Sequence, residues 1–574
     1  MADEKAPVIE EIRIAGRKAS NENDAISVLT ARPGMEASQE VVQQDLKSLY
    51  ALGFYSDVQA SFSDGKKGKV LTYHVRENPP IKEIVFEGIT THTPAQLQEM
   101  ILTKPGAMFN RLFFDADVKR ITERLHAAGY SLTSVRDVQY RDGIIYVYFI
   151  EPKFNDLIIQ GNKFTKTPVI ARRFPIKKGA IFNAQPVNLG VSRLRSSGIF
   201  SDINVGFQDA PNQPGYVDVI VSVIEQKTGQ VNVSASYGND NGTSFGASYK
   251  EINVGGNAQT AELSASFGDN RGYRIAYADP FSNKNRVGWE VDLYHTDNKD
   301  LTYKHYDGKN RFDAFDYQEK KTGMTVAVTK PLSKKDDKWS ISLITDYHKS
   351  KDTFKGAAGG HSNAQSLAYF DSIVGGNGTG VLDSKVFSTT LMAYYNGLKP
   401  TVPYTQGMRF SASVEHAWKI FGSDWDYTKY MMELAWYLPI KLHEHLHIGT
   451  ANNPVVLAGR IRAGGSSEEL PFSEQYTLGG SNSLRGYDSG DFKGDEMFLA
   501  NTELRVPINR DLTLVGFYDM GNAWSKKLGT SFSLSDLKGA GGVGIRVRTP
   551  MGRVRLDVSH GNETRWNFGF GDLF

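Results

Sequence analysis

The chain has 574 residues, 66 Lys and Arg against 64 Asp and Glu, a formal net charge of +2 and no cysteine. The charge balance argues against a nucleic-acid-binding protein, which carries a basic bias, and the missing cysteines exclude disulfides and cysteine-ligated metals. No run of about 18 apolar residues occurs, so no membrane-crossing helix is expected; a mean hydropathy of −0.38 fits a soluble protein and equally a transmembrane β-barrel, whose strands alternate between lipid and lumen.

The opening Met1-Ala2-Asp3-Glu4-Lys5 lacks the apolar core of a signal peptide and reads as a mature form with an added start codon. Residues 7–227 then repeat three times. An apolar strand ends in glycine at Gly16, Gly88 and Gly161, 72 and 73 residues apart, and a second glycine follows at the same spacing, at Gly34, Gly106 and Gly179. A third recurs after a helical phrase, at Gly53, Gly129 and Gly198, where a helix C-cap needs positive φ. Each unit closes on a strand running to Glu77, Glu151 or Glu225. The predicted order is strand, helix, helix, strand, strand, in domains 7–78, 79–152 and 153–227. On these landmarks the units resemble POTRA domains. Their sheet edges are expected to offer strand-addition sites to extended clients.

From Thr228 the helical stretches vanish and residues 228–574 alternate apolar and polar between Gly, Asn, Asp and Ser turns. Val231, Val233, Ala235 and Tyr237 share one face, and Val554, Leu556 and Val558 oppose Arg553, Arg555, Asp557 and Ser559. Such a pattern suits lipid outside and a wet lumen inside. Tyr394, Tyr395, Trp418, Trp436, Tyr437 and Trp524 lie near strand ends, as an interfacial girdle requires. Sixteen strands are counted, an even number of antiparallel strands that must close because open edges are costly in hydrocarbon.

Between the eleventh and twelfth strands lies a Gly-rich loop, about 465–494, holding Leu484-Arg485-Gly486-Tyr487. The planar fork of Arg485 suits a bidentate carboxylate in a shielded site, and Glu503 and Asp519 on the next two strands are the chosen partners. Gly486 allows close backbone approach and Tyr487 anchors by stacking or hydrogen bonding. In the last strand Trp566, Phe568 and Phe570 share a face and Phe574 ends the chain, while Gly569 and Gly571 weaken or kink it. A poorly paired seam between first and last strands would expose backbone donors and acceptors; the residues alone favour neither such a gate nor an ordinary tight closure.

The loop motif Arg485-Gly486-Tyr487, Asp519 with Gly521, the Gly-rich Gly541–Arg546, Asp279-Pro280-Phe281 and the terminal aromatic together resemble the BamA/TamA outer-membrane protein insertase superfamily over nearly the whole chain. The resemblance implies three α+β POTRA domains followed by a 16-stranded antiparallel transmembrane β-barrel, periplasmic repeats, and a sixth outer loop folded inward. It implies insertion of unfolded outer-membrane β-barrel clients, through a lateral seam and without ATP, in contact with outer-membrane lipids. Three repeats depart from the five of the best-known BamA and leave the accessory partners open, as lipoproteins or a TamB-like periplasmic protein. The alternatives are a TamA-like translocation/assembly module, a two-partner secretion translocon, which normally carries two repeats and a plug helix, and a passive porin-like channel. No nucleophile–base pair or carboxylate dyad stands out, so no enzyme activity and no cofactor are expected. His348 and His361 look isolated, and His443, His445 and His447 look solvated rather than metal-binding.

Overall fold

The computed structural model describes residues 8–574 apart from 37, 239–241, 269, 284, 308–309, 334–335, 401–403, 445–447, 550–551 and 572. Two compact units emerge. One comprises residues up to Gln160 with Phe174–Ser192 and Ile203–Val223; the other holds the barrel with Gly161–Arg173 and Arg193–Asp202.

Each repeat folds in the predicted order. In the first, strand Ile9–Ala15, helices Glu22–Ser27 and Gln39–Ala51, and strands Tyr55–Asp64 and Lys69–Glu77 follow one another. The first strand pairs in parallel with the third, which lies central and pairs antiparallel with the second. The second and third repeats have the same topology, with central strands Ile144–Ile150 and Tyr216–Glu225. The helices cover one face of each sheet. Ile9, Leu49, Leu71 and Tyr73 are fully buried in the first repeat, and Leu97, Leu125, Ile145 and Val147 in the second; each such side chain contributes about 1.5–3 kcal/mol. All nine spaced glycines take positive φ. At Gly16 and Gly88 a Cβ would lie 2.2 and 2.3 Å from the carbonyl oxygens of Val75 and Phe149, so the turn after the first strand has room for glycine alone.

The glutamate that closes each unit binds that turn. Glu77 accepts from the backbone N–H of Ser20 at 2.7 Å and Ala19 at 3.0 Å, Glu151 from Thr90 and Thr91, and Glu225 from Phe164 and Thr165. Burial alone would raise the Glu77 carboxyl, but its bonds from Ser20 and the neighbouring backbone outweigh that and hold it near about 2, against 4.5 ordinarily; Glu151 and Glu225 are also lowered. A folded-state pKa below the unfolded one stabilises above the unfolded value and loses that contribution as pH falls through the folded one. The repeats are therefore expected to melt at progressively lower temperature between pH 5 and 2, and Glu77→Gln to flatten that dependence. A melting point for residues 7–226 that does not change over this range contradicts the assignment.

The second unit is an antiparallel sheet whose last strand, Thr564–Phe570, pairs with its first, Gly229–Gly238, closing it. Among the described residues seventeen segments make up the ring, against the sixteen counted from sequence; one of them is the two-residue Lys399–Pro400, which pairs beside Thr405–Ala417. The alternation reads as expected on both faces. Leu263, Ile275, Leu293, Leu343, Leu391 and Val543 are exposed on the outside, whereas Arg546, Arg555, Asp557 and Ser559 are buried within. The girdle needs correction at three positions. Tyr394, next to Tyr395 and three residues beyond the outward Leu391, falls on the lumenal face. Tyr437 is buried against Phe574, and Trp524 is buried against Phe532, so neither faces lipid. Strands Gly288–Asp307, Asn310–Pro331 and Trp339–Ala357 have 20, 22 and 19 residues, about twice what a tilted strand needs to cross a bilayer. Their surplus carries an aromatic cap in which Phe315, Phe370 of helix Asn363–Val374 and Phe472 pack together.

Candidate functional site: a pinned loop and the meeting of first and last strands

Residues 467–495 connect strand Val455–Ser466 to strand Glu496–Pro507 and carry a short hairpin, Tyr476–Leu478 with Phe492–Gly494. The loop is held inside the barrel rather than above it. Leu484, Tyr487 and Phe492 are buried in one apolar cluster with Leu499 and Ala540 of the wall.

Arg485 is the hub. It donates from Nε and Nη2 to the two oxygens of Asp519 at 2.7 and 2.8 Å, and from Nη1 to Glu503 at 2.8 Å; its backbone N–H adds a bond to Asp519 at 3.2 Å. The guanidinium lies 3.4 Å from the centre of the Phe517 ring. Asp557 stands 3.5 Å from Nη1. Arginine and all three carboxylates are 0% exposed, so the Coulomb terms act in a shielded site, where such pairs are strong and unpaired members are expensive. Glu503, Asp519, Arg546 and Asp557 occupy lumenal positions on four consecutive strands. Arg546 bridges back to Glu503 at 3.3 Å and Asp557 at 2.5 Å, and Arg505 donates to Glu503 at 2.9 Å.

The predicted trio Arg485, Glu503 and Asp519 is thus brought together. Asp557, Arg546, Arg505 and Phe517 join it without having been singled out as partners. Asp557 was visible on the polar face of its strand, but alternation gives the face and not the height along the barrel. The Gly-rich strand has a use here. A Cβ at Gly544 would lie 2.0 Å from an Asp557 oxygen, and one at Gly542 2.4 Å from the Phe517 ring; glycine makes room for both.

Gly486 has φ +89°, and a Cβ there would approach the Gly561 nitrogen to 2.7 Å. Tyr487 donates to the Gly539 carbonyl at 3.2 Å and meets Phe492 edge-on. Gly486→Ala is expected to destabilise the loop seat by about 1–3 kcal/mol, read as a lower temperature for the folded-to-unfolded mobility shift of the barrel in detergent gels; an unchanged midpoint refutes the close approach.

Other contacts hold the loop around the wall. Asp488 pairs with Lys304 and Arg565, Asp491 with Lys304 at 3.1 Å, and Glu474 with Lys321 at 2.8 Å. His348 is not isolated: it is 5% exposed and lies between Asp346 at 2.6 Å and Glu474 at 3.1 Å. His361 is exposed. His445, His447 and the side chain of His443 lie outside the described residues.

At the seam, register is recorded only for Tyr237 with Phe568 and Gly238 with Asn567 among the described residues, whereas the first strand pairs with its other neighbour from Gly229 to Gly238. Val231, Val233, Trp566 and Phe568 point outward and are exposed, and Gly569 is buried beside Arg555. The side chains of Ala235, Tyr237 and Phe570 lie outside the described residues. Phe574 does not prolong the seam strand. That strand ends at Phe570, Gly571 turns at φ +85°, and Leu573 and Phe574 are buried in the lumen, with the Phe574 ring 5.4 Å from both Arg460 and Arg505. An apolar ring flanked by two guanidiniums is better satisfied there than beside a frayed edge.

A family model described as the Omp85 superfamily domain matches residues 253–574, and one described as POTRA, surface antigen variable number repeat, matches 7–78, 79–151 and 152–226. The outer membrane protein assembly factor BamA of Neisseria meningitidis serogroup B is 23% identical over 504 residues, covering 82% of this chain and 60% of that protein. The chain thus spans about 60% of that relative's length. A structure of BamA from Haemophilus ducreyi lacking POTRA domains 1–3 is similar at TM-score 0.56 and 18% identity, covering 86% of this chain and 100% of the other. CdiB from Escherichia coli is similar at TM-score 0.58 and 13% identity, covering 93% and 98%. At these identities the two structures speak for the fold alone.

Proposed function

Because the chain belongs to the Omp85 superfamily, we propose that it is a BamA-like assembly factor that helps unfolded β-barrel proteins fold into the outer membrane. It is an outer-membrane protein with its POTRA repeats in the periplasm. In this reading sixteen strands cross the membrane and the Lys399–Pro400 segment does not.

The observation that supports the reading is the short register between first and last strands among the described residues. From Gly229 to Ser236 the first strand has no recorded partner on the side of the last strand among the described residues. An edge with unpaired N–H and C=O groups templates another strand, so a client hairpin adds there by β-augmentation. Closure between first and last strands would then be exchanged for closure through the client. No phosphate-binding loop enters this scheme, and we read the process as passive, without ATP, and the protein as not an enzyme. The pinned loop keeps the rest of the wall rigid while the seam yields. Accessory lipoproteins or a TamB-like periplasmic protein are the partners proposed, with lipids at the seam.

The test is folding of an unfolded outer-membrane barrel protein into liposomes with and without this protein. Acceleration supports the assembly reading. Absence of acceleration, together with passage of a secreted partner through the barrel, would favour the translocon alternative.

A further inference from the structure

Away from the loop and the seam, one cluster of buried charge is left unbalanced. It lies where the turns Asp279–Val287 and Leu332–Lys338 meet the segments Gly161–Arg173 and Arg193–Asp202, which cluster with the barrel as one unit. Phe281, on the first turn, is 6% exposed. Three guanidiniums surround its ring, those of Arg173 at 4.7 Å, Arg193 at 5.8 Å and Arg172 at 6.0 Å from the centroid. A fourth, Arg286, is also buried.

The carboxylates paired with these four arginines are Asp337 and Asp279. Asp337 is gripped by Arg193 through two bonds of 2.8 and 2.9 Å, and again by Arg286. Asp279 is engaged by the backbone N–H of Phe281 at 3.0 Å and by the Gln259 amide, with Arg172 3.9 Å away. Arg172 spends its terminal nitrogens on the carbonyls of Ser282 and Asn257, leaving Nε without a partner. Arg173 is 8% exposed, its Nε is also unpartnered, and its recorded interaction is the face of Phe281. Burial, then the charge of Arg172, push Arg173 down to about 10; it remains a cation at any physiological pH. Among the described residues four guanidiniums share two carboxylates, Asp279 and Asp337, whose charges both act on Arg173, and buried cations in excess of their anions are unfavourable.

We propose that Arg172 and Arg173 form a binding site for a phosphate group, supplied by the headgroup of an anionic phospholipid in the leaflet at this rim. The guanidinium fork matches phosphate oxygens in pairs. The height along the barrel favours the lipid source. Tyr277 and Trp289, whose rings lie 5.7 Å apart at a tilt of 42° one strand-step from the turn, continue the outward face of Ile275 and Leu293, and aromatic rings of this kind mark headgroup level. Phe281 then acts as the platform that spaces the guanidiniums. The inference rests on the chain being an outer-membrane barrel and not on its assembly activity, so either can fail while the other stands.

The full chain in neutral detergent would be titrated with phosphatidylglycerol, with phosphatidylcholine, and separately with inorganic phosphate, following the unfolding midpoint. Phosphatidylglycerol is expected to raise the midpoint by several degrees, and phosphatidylcholine to leave it in place. Arg173→Gln is expected to weaken the apparent affinity for phosphatidylglycerol at least tenfold; Arg172→Gln, whose site is more exposed, serves if the first variant fails to fold. Equal responses to both lipids, or an undiminished response in the folded variants, overturn the site. A rise with inorganic phosphate as large as that with phosphatidylglycerol overturns the lipid as its ligand.

Discussion

Arg485→Ala is expected to lower barrel stability by about 3–5 kcal/mol and to free the loop for proteolysis, because removing one partner of a buried pair leaves the other charge uncompensated. The loss falls unevenly. Glu503 keeps Arg505 and Arg546, and Asp557 keeps Arg546 and Arg555. Asp519 receives its side-chain and backbone bonds from Arg485 and becomes the uncompensated ion. Two consequences separate this account from simple loss of packing. Arg485→Lys restores charge without the fork, so it should recover only part of the loss. Adding Asp519→Asn to Arg485→Ala should recover stability relative to the single variant, a coupling that a double-mutant cycle measures. The checks are the mobility-shift midpoint and protease cleavage within residues 467–495. Wild-type values in Arg485→Ala would show that the loop is held by its other contacts.

Asp45→Ala should be as damaging to the first repeat, by about 3–5 kcal/mol. Asp45 is 0% exposed on helix Gln39–Ala51. It accepts from the backbone N–H of Thr30 and of Ala31, the latter at 3.0 Å, and from the Tyr73 hydroxyl at 2.6 Å. Each buried donor left unpaired costs about 1–3 kcal/mol. Seventy-two residues on, Asp117 takes the same place and accepts from Leu102 and Thr103 at 2.9 and 2.8 Å, so Asp117→Ala should unfold the second repeat similarly. The corresponding position in the third is Gly190, where the Phe174 ring would lie 2.2 Å from an added Cβ; an aromatic ring stands where the other repeats use a carboxylate. Chemical denaturation of residues 7–226 followed by tyrosine fluorescence would check this. An Asp45→Ala midpoint close to wild type would mean that water replaces the aspartate.

The repeat fold was legible because its landmarks are backbone constraints. A glycine that must adopt positive φ, and a glutamate that must cap the turn beside it, recur at fixed spacing however the rest drifts. Asp45 and Asp117 were equally periodic but lay within helices, where an acidic residue reads as solvated, and only the fold shows them turned inward. In the barrel, alternation assigned lumen and lipid faces at Leu556 and Asp557 alike. It could not assign height, so Asp557 and Arg546 were missed beside Arg485; Tyr437 was misplaced in the girdle although alternation beside Trp436 turns it to the lumen, and Trp524 because Phe532, from the following loop, covers it. Phe574 was misread for a related reason. Periodicity continues a strand until a conformation interrupts it, and the interruption at Gly571 depends on the lumenal pocket formed by Tyr437, Arg460 and Arg505 from distant strands. His348 looked isolated because Glu474, its partner, is 126 residues away.

The most direct measurement concerns the seam. Cysteines at Tyr237 and Phe568, which stand opposite one another in the register, would be oxidised to join the first and last strands. Folding of a barrel client into liposomes would then be compared before and after reduction. The account expects acceleration by the reduced protein, abolished on oxidation and restored by reductant. Equal acceleration by oxidised and reduced protein would contradict assembly through the seam.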